Sequence, residues 1–184
     1  MEPLQIANTI QEKFPGNVLG VTEFRGQVSV HLKKENIFSI CRFLHDNPEM
    51  GFDYLVDVCG ADYLGRKAPR FEAVYHLYSI KHAHSIRLRV QVPENDTNIA
   101  SVVPIWAGAN WHERECYDLV GIKFEGHPDH RRILLPEDWE GHPLRKDYPV
   151  EGPPIEEDWH GYKEVLEMSE KLKEFEWNGR KRTD

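Results

Sequence analysis

The sequence predicts an α+β fold: a mixed, mainly antiparallel sheet with helices on one face, followed by an extended proline-rich arm and a C-terminal helix. Three observations predict it. Two early segments space their apolar residues at helical intervals, several later runs alternate apolar and polar residues, and the loops joining the later runs are short. A sheet with one apolar face is buried most simply by helices laid on that face.

Taken in order, Pro3 suits a first helical turn, and Ile6, Ala7, Ile10 and Phe14 make a helical stripe ending at Pro15-Gly16. Val18–Phe24 and Val28–Leu32 read as strands joined across Arg25-Gly26. Ile37, Ile40, Cys41 and Leu44 share a helical face until Pro48 stops the segment. Phe52, Tyr54, Val56 and Val58 then alternate with Asp53 and Asp57, which predicts a strand with the aromatic and aliphatic residues on one side. Phe71–Ile80 is apolar on both parities, as a central strand would be. Ile86, Leu88, Val90 and Val92 alternate with Arg87, Arg89 and Gln91. The connections Gly65–Pro69 and Lys81–His84 fit antiparallel hairpins. Asn110 is placed to cap a short helix Trp111–Val120, with Glu113 completing a capping box and Gly121 closing the end.

Beyond that helix the character changes. Between Gly121 and Pro154 the chain carries six prolines and four glycines without sustained periodicity. Ile133, Leu134, Leu135, Trp139, Tyr148 and Ile155 are anchors that a solvated tail would not keep. The chain therefore divides into an α+β domain (residues 1–120), an extended arm (121–160) and a C-terminal amphipathic helix and tail (161–184), the helix carried by Tyr162, Val165, Leu166, Leu172 and Phe175. The arm is expected to pack on another surface, and to be mobile when that surface is missing.

Composition narrows the function classes. With 184 residues the chain holds about one domain with something left over, and an ordinary apolar core suffices. The net charge of −8 argues against bulk-charge binding to nucleic acid or an anionic bilayer. It is unevenly placed: residues 1–110 hold 11 basic and 12 acidic side chains, residues 111–184 hold 12 and 19. No apolar run approaches the ~20 residues of a membrane span, and the start has neither the basic nor the apolar region of a secretory signal. Cys41, Cys59 and Cys116 are too few and too scattered for a disulfide framework or an iron–sulfur cluster. No glycine cradle for a dinucleotide or nucleoside triphosphate exists. The composition reads as a cytoplasmic, globular chain that binds no cofactor of its own.

The densest constellation is Trp111-His112-Glu113-Arg114-Glu115-Cys116-Tyr117-Asp118. Arg114 and Asp118 stand four apart and are placed to pair. A charge run on a helix is ordinarily a solvated face. Here Trp111, Cys116 and Leu119 flank it with apolar bulk, which favours buried ion pairs that position neighbouring segments.

Three rival readings attach to the same region. His112, His127, His130 and His142 could ligate a metal, although Pro128 interrupts any helix that would align the middle pair. Arg131-Arg132 and Arg145-Lys146, with Trp139 and Tyr148, resemble a nucleic-acid patch, but residues 111–149 hold 6 basic against 9 acidic side chains. Cys116 with His112 four residues earlier could form a thiolate pair, against the simpler role of a small buried side chain.

The strings themselves resemble a known family. Glu113-Arg114-Glu115, Asp118-Leu119-Val120 and His127, Arg131, Ile133-Leu134 at their spacing are similar to the signature of the 30 kDa subunit of respiratory complex I, known in bacteria as the C subunit of the type I NADH:quinone oxidoreductase. The likeness continues through Trp139-Glu140-Gly141-His142-Pro143-Leu144-Arg145-Lys146-Asp147-Tyr148-Pro149, while His130 stands where the family usually carries an aliphatic residue. The resemblance implies a peripheral-arm subunit that is not itself catalytic and holds no cofactor, with FMN and iron–sulfur clusters on partner subunits. It implies contact with the 49 kDa-type (D) subunit and the terminal-cluster (B) subunit, on the cytoplasmic side of the cell inner membrane, in an assembly passing electrons from NADH to quinone. A related membrane-bound hydrogenase or ferredoxin-linked complex carries an equivalent subunit. The interface residues it implies are Glu113, Arg114, Glu115, Asp118, His127, Arg131, Arg132, Trp139, His142, Arg145, Lys146, Asp147 and Tyr148.

Overall fold

The computed structural model describes residues 1–150 together with residues 167, 168, 170 and 171. Helix α1 (Pro3–Lys13) starts at the proline and buries Ile6, Ala7 and Ile10. Strands β1 (Val18–Phe24) and β2 (Gln27–Lys33) form a hairpin whose two turn residues, Arg25 and Gly26, both have positive φ, the geometry that matches strand twist. Helix α2 (Ile37–Asp46) buries the four residues of its predicted stripe. Strands β3 (Tyr54–Asp62), β4 (Phe71–Ser79) and β5 (His84–Val92) follow as an antiparallel meander. The sheet order is β1-β2-β5-β4-β3, and the β2–β5 contact is parallel, so the sheet is mixed and mainly antiparallel.

One face of this sheet is the core. Val30, Leu32, Leu55, Val58, Tyr75, Leu77, Leu88 and Val90 join the apolar stripes of α1 and α2 in one continuous cluster. The predicted alternation of β3 breaks inside that cluster. A register shift between Leu55 and Asp57 turns Leu55 and Val58 inward and leaves Tyr54 and Val56 exposed, because a bulge inserts one residue and reverses parity beyond it.

The third helix, α3 (Ala109–Val120), lies on the core face over β3. Gly60 makes that approach possible: a Cβ there would meet Cys116 Sγ and Val120 Cβ at 3.0 Å. The helix starts earlier than the sequence predicts. Its N-cap is Gly108, which has no side chain to cap with, and the earlier start moves Asn110 and Glu113 out of the capping-box positions. Two three-residue strands, β6 (Asn98–Ala100) and β7 (Lys123–Glu125), pair in parallel beside α3 and are invisible to periodicity.

Met1–Tyr148 is one compact unit, and residues 149–184 form a second. Residues 121–148 therefore share a unit with the sheet, whereas the sequence drew a boundary at residue 120. Glu167, Met168, Glu170 and Lys171 are helical. Pro153, Pro154, Ile155 and the predicted C-terminal stripe lie outside the described residues. No helix among the described residues is long and apolar enough to cross a membrane.

Candidate functional site

An α-helix ends with four backbone carbonyls that its own amides cannot reach. In α3 the segment beyond the helix supplies all four partners. Tyr117 O accepts from Gly121 N at 2.8 Å, and Asp118 O accepts from His142 Nδ1 at 2.9 Å. Leu119 O accepts from Leu144 N at 2.9 Å, and Val120 O from Arg145 Nε at 2.7 Å. Two guanidinium groups, Arg132 and Arg145, thus stand where the helix dipole favours cations. Gly121 is the pivot. It sits at φ +84°, and a Cβ would overlap Arg145 Nη2 and lie 2.5 Å from His142 Cδ2. Gly121→Ala is expected to cost at least about 1–2 kcal/mol from the left-handed backbone alone, and to free Leu144 and Arg145. Thermal unfolding and amide exchange at residues 142–146 check it.

Asp118 is the anchor. Its buried carboxylate accepts the backbone N–H groups of Ile133, Leu134 and Leu135 at 3.0, 2.8 and 2.9 Å, and the Arg132 guanidinium at 2.7 Å. Burial alone would raise its pKa. The amide and guanidinium donors outweigh that and hold the carboxyl below its ordinary value. Arg132 also donates to Trp139 O and Gly141 O, and Arg114 donates to Arg131 O and Arg132 O. The Arg114–Asp118 pair read from helical spacing is not made, because four better-placed donors occupy the carboxylate and Arg114 reaches the arm instead.

A second node lies at the end of β3 and β4. Arg70, 7% exposed, donates to Asp62 at 2.8 and 2.9 Å, to Glu94 at 2.6 Å and to Asp147 at 2.7 Å. Lys146 N adds a bond to Asp62 Oδ2 at 2.8 Å. Arg70 and Arg145 both lie over the Phe71 ring, at 4.7 and 5.0 Å from its centroid. The Arg70 hydrogen bonds hold the Asp62 carboxyl down at about 2 despite desolvation. Sequence reasoning missed Arg70, Asp62 and Glu94, since nothing local marks a triple carboxylate partner up to 77 positions away.

Glu113 does a different job. Fully buried, its carboxylate accepts Ser101 Oγ–H at 2.6 Å and Val102 N–H at 2.7 Å, fastening α3 to the loop before it. Burial pushes its pKa up to about 7, against the pull of those two donors. Between about pH 4.5 and 7 the folded state therefore holds a proton that the unfolded state has lost. Stability falls as pH rises through that window. Glu113→Gln is expected to remove this slope, so the variant gains on the parent between pH 5 and pH 8 in urea midpoints. Parallel pH profiles for the two proteins would contradict it.

The remaining predicted residues divide. Glu115 is exposed, and Arg131 pairs with Asp129 at the surface. His127 donates from Nε2 to Asn110 O at 3.1 Å, because its Nδ1 accepts Asp129 N–H. His130 accepts the Phe124 N–H at 3.0 Å and packs on Tyr117, a backbone cap that an aliphatic side chain could not supply. Burial, then the nearby His127, lowers the His130 pKa. Tyr148 reaches Glu140 O at 3.4 Å, and Trp139 N closes a turn on Pro136 O. Among the described residues no group of three or more His, Cys, Asp or Glu side chains is arranged to hold a metal ion. Cys116 is buried, which drives its thiol far up in pKa, and His112 turns to Asp57 instead, at 3.5 Å. The thiolate pair read from the sequence is not formed.

The backbone of residues 121–148 is thus tied to the sheet domain by its own hydrogen bonds. Its apolar side chains are not all absorbed: Leu134 is 62% and Leu144 56% exposed.

A five-stranded sheet with three helices on one face, closed by a carboxylate-anchored clasp, defines the class: an α+β domain that fastens its own irregular extension. Residues 30–154 match the family described as the respiratory-chain NADH dehydrogenase 30 kDa subunit, and the chain belongs to that family. It is 52% identical to the C subunit of the NADH-quinone oxidoreductase of Roseiflexus castenholzii over 141 residues, 77% of this chain and 80% of the relative. The corresponding C subunit from Geobacter sulfurreducens is 49% identical over 144 residues, 78% of this chain and 88% of that one. Among solved structures, a trypsin-resistant fragment (1–134) of Nqo5 is 33% identical with a TM-score of 0.60, covering 70% of this chain and 99% of the fragment. A chain of the membrane-bound sulfane sulfur reductase, an archaeal respiratory membrane complex, shares the fold at a TM-score of 0.67 and 21% identity, covering 100% of both chains.

Proposed function

We propose that this chain is a cofactor-free structural subunit in the peripheral arm of a proton-translocating NADH:quinone oxidoreductase, packed beside the D and B subunits on the cytoplasmic side of the inner membrane. Electrons pass from NADH through FMN and iron–sulfur centres to quinone on other subunits of the complex, and this chain performs no step of the chemistry. The observation that carries the reading is how the family motif is spent. Asp118, Arg114, Arg132, His142 and Arg145 direct their hydrogen bonds at backbone groups or at one another, which is the work of shaping a surface. The exposed Leu134 and Leu144, with Glu115, Arg131 and Lys146, are then the side chains offered to neighbouring subunits.

The test has two arms. The chain, purified anaerobically, is expected to contain no stoichiometric iron, zinc or flavin and to show no visible absorption. In a strain lacking it, NADH:quinone activity and assembled complex should fall together and return together on complementation. One tightly bound equivalent of any cofactor, or a fully assembled complex without the chain, would sink the reading.

A further inference from the structure

The three helices all lie on one face of the sheet, and among the described residues no helix covers the other. That second face carries alternate residues of all five strands: Thr22 and Phe24, Ser29 and His31, Arg87 and Arg89, Glu72 and His76, Asp57 and Cys59. Five strands about 4.8 Å apart and up to nine residues long give a surface on the order of 600 Å². A specific protein contact buries roughly 800 Å² per partner, so the face is the right size for one.

Its charge is inverted relative to the chain. Lys33, Lys67, Arg87 and Arg89 stand on it against Glu72 and Asp57, while the whole chain is at −8. From α3, His112 reaches its β3 edge at 3.5 Å from Asp57, and Glu115 stands near Cys59. The two central arginines differ in a telling way. Arg89 is matched, donating to Glu72 at 2.7 and 3.0 Å and to the Tyr63 hydroxyl at 2.7 Å. Arg87, among the described residues, has no carboxylate as a hydrogen-bond partner. It donates to His76 Nε2 at 2.8 Å, Gln27 Oε1 at 2.7 Å and Ser29 Oγ at 3.5 Å, all neutral acceptors. These bonds hold the planar fork rigidly at the middle of a half-buried face, where side-chain ordering has already been completed. Asp57 stands on the far side of His76, 3.7 Å from its Nδ1, and leaves the fork itself with neutral partners only, open to an incoming carboxylate. Phe24, 70% exposed at the hairpin tip, adds an apolar anchor at one edge.

We infer that the open face of the sheet is a docking surface for an acidic protein surface, whose Asp or Glu side chain meets Arg87. The inference rests on the subunit role proposed above and names the chemistry of one contact. A phosphate backbone is disfavoured because Glu72 and Asp57 are built into the same face.

Cys59 reports on this face directly, since it is exposed there while Cys41 and Cys116 are buried. Partial desolvation and then Asp57 push its thiol up to about 11, so alkylation by iodoacetamide, read at Cys59 by peptide mass spectrometry, is run at one fixed alkaline pH. Labelling of Cys59 in the intact assembled complex is expected to be at least tenfold slower than in the free full-length chain. Arg87→Glu should lower incorporation into the complex at least tenfold, and Arg87→Gln less, with the unfolding midpoint of the free Arg87→Gln chain close to that of the parent. Equal labelling rates in free and assembled protein, whether both fast or both slow, would overturn the inference while leaving the subunit role standing. So would protection of Cys59 in the free chain by phosphatidylglycerol vesicles or duplex DNA. Absence of the chain from the purified complex would instead remove the subunit role, and this inference with it.

Discussion

Asp118→Ala should destabilise the free protein by roughly 3–5 kcal/mol, because it takes from a buried guanidinium its only carboxylate among the described residues, leaving it carbonyl acceptors alone, and the acceptor from three backbone amides at once. The carboxylate organises Arg132 and residues 133–135 around the end of α3, so the loss is not local to one bond. Amide exchange at Ile133, Leu134 and Leu135 should accelerate by orders of magnitude, while β4 and β5 keep their protection. In the parent those three amides should exchange slowly even without partner subunits. A cost below about 1 kcal/mol would mean that the arm is held by something other than this carboxylate.

Arg70→Ala should be comparably severe and should carry a pH signature. It leaves Asp62, whose side chain is fully buried, facing Glu94 and Asp147 with no cation between them. In the parent, the folded pKa of Asp62 is depressed to about 2, so its contribution is present above the ordinary carboxylate range and is lost as pH falls from about 4 to 2. In the variant the three acids repel, so their pKa values rise and stability should improve on mild acidification. Urea midpoints at pH 4 and pH 7 for both proteins decide the matter: Glu113 gives both the same slope, so the deficit of the variant against the parent should be smaller at pH 4 than at pH 7.

What the sequence made legible is what short-range periodicity encodes. The stripes of α1 and α2, the meander of β3, β4 and β5, and the αL closure at Gly121 were all readable from neighbours within a few positions. The parity break at Leu55–Asp57 was not, since a bulge adds a residue without any compositional mark. The irregularity of the arm was also legible, because proline withholds the donors that sheets and helices need. Its attachment was not. Asp118 and the amides of residues 133–135 meet across 15–17 positions, and Arg70 meets Asp147 across 77. Helical spacing offered Arg114 as the partner of Asp118, and that local option lost to a carboxylate site with four donors. Glu113, read as part of a capping box, lost its local role in the same way, to the buried donors of Ser101 and Val102.

The way α3 ends also sets a schedule for synthesis. The last carbonyl of the helix is satisfied by Arg145, 25 residues further along the chain. At translation rates of about 5–20 residues per second, that guanidinium is made roughly 1–5 s after the helix it closes. Until residues 132–135 are made Asp118 is unpaired, and until residues 142–145 are made the helix keeps bare carbonyls and an uncovered Gly121. A released chain truncated between residues 121 and 131 should therefore hold a formed sheet and a fraying third helix. Extension through residue 148 would complete the domain.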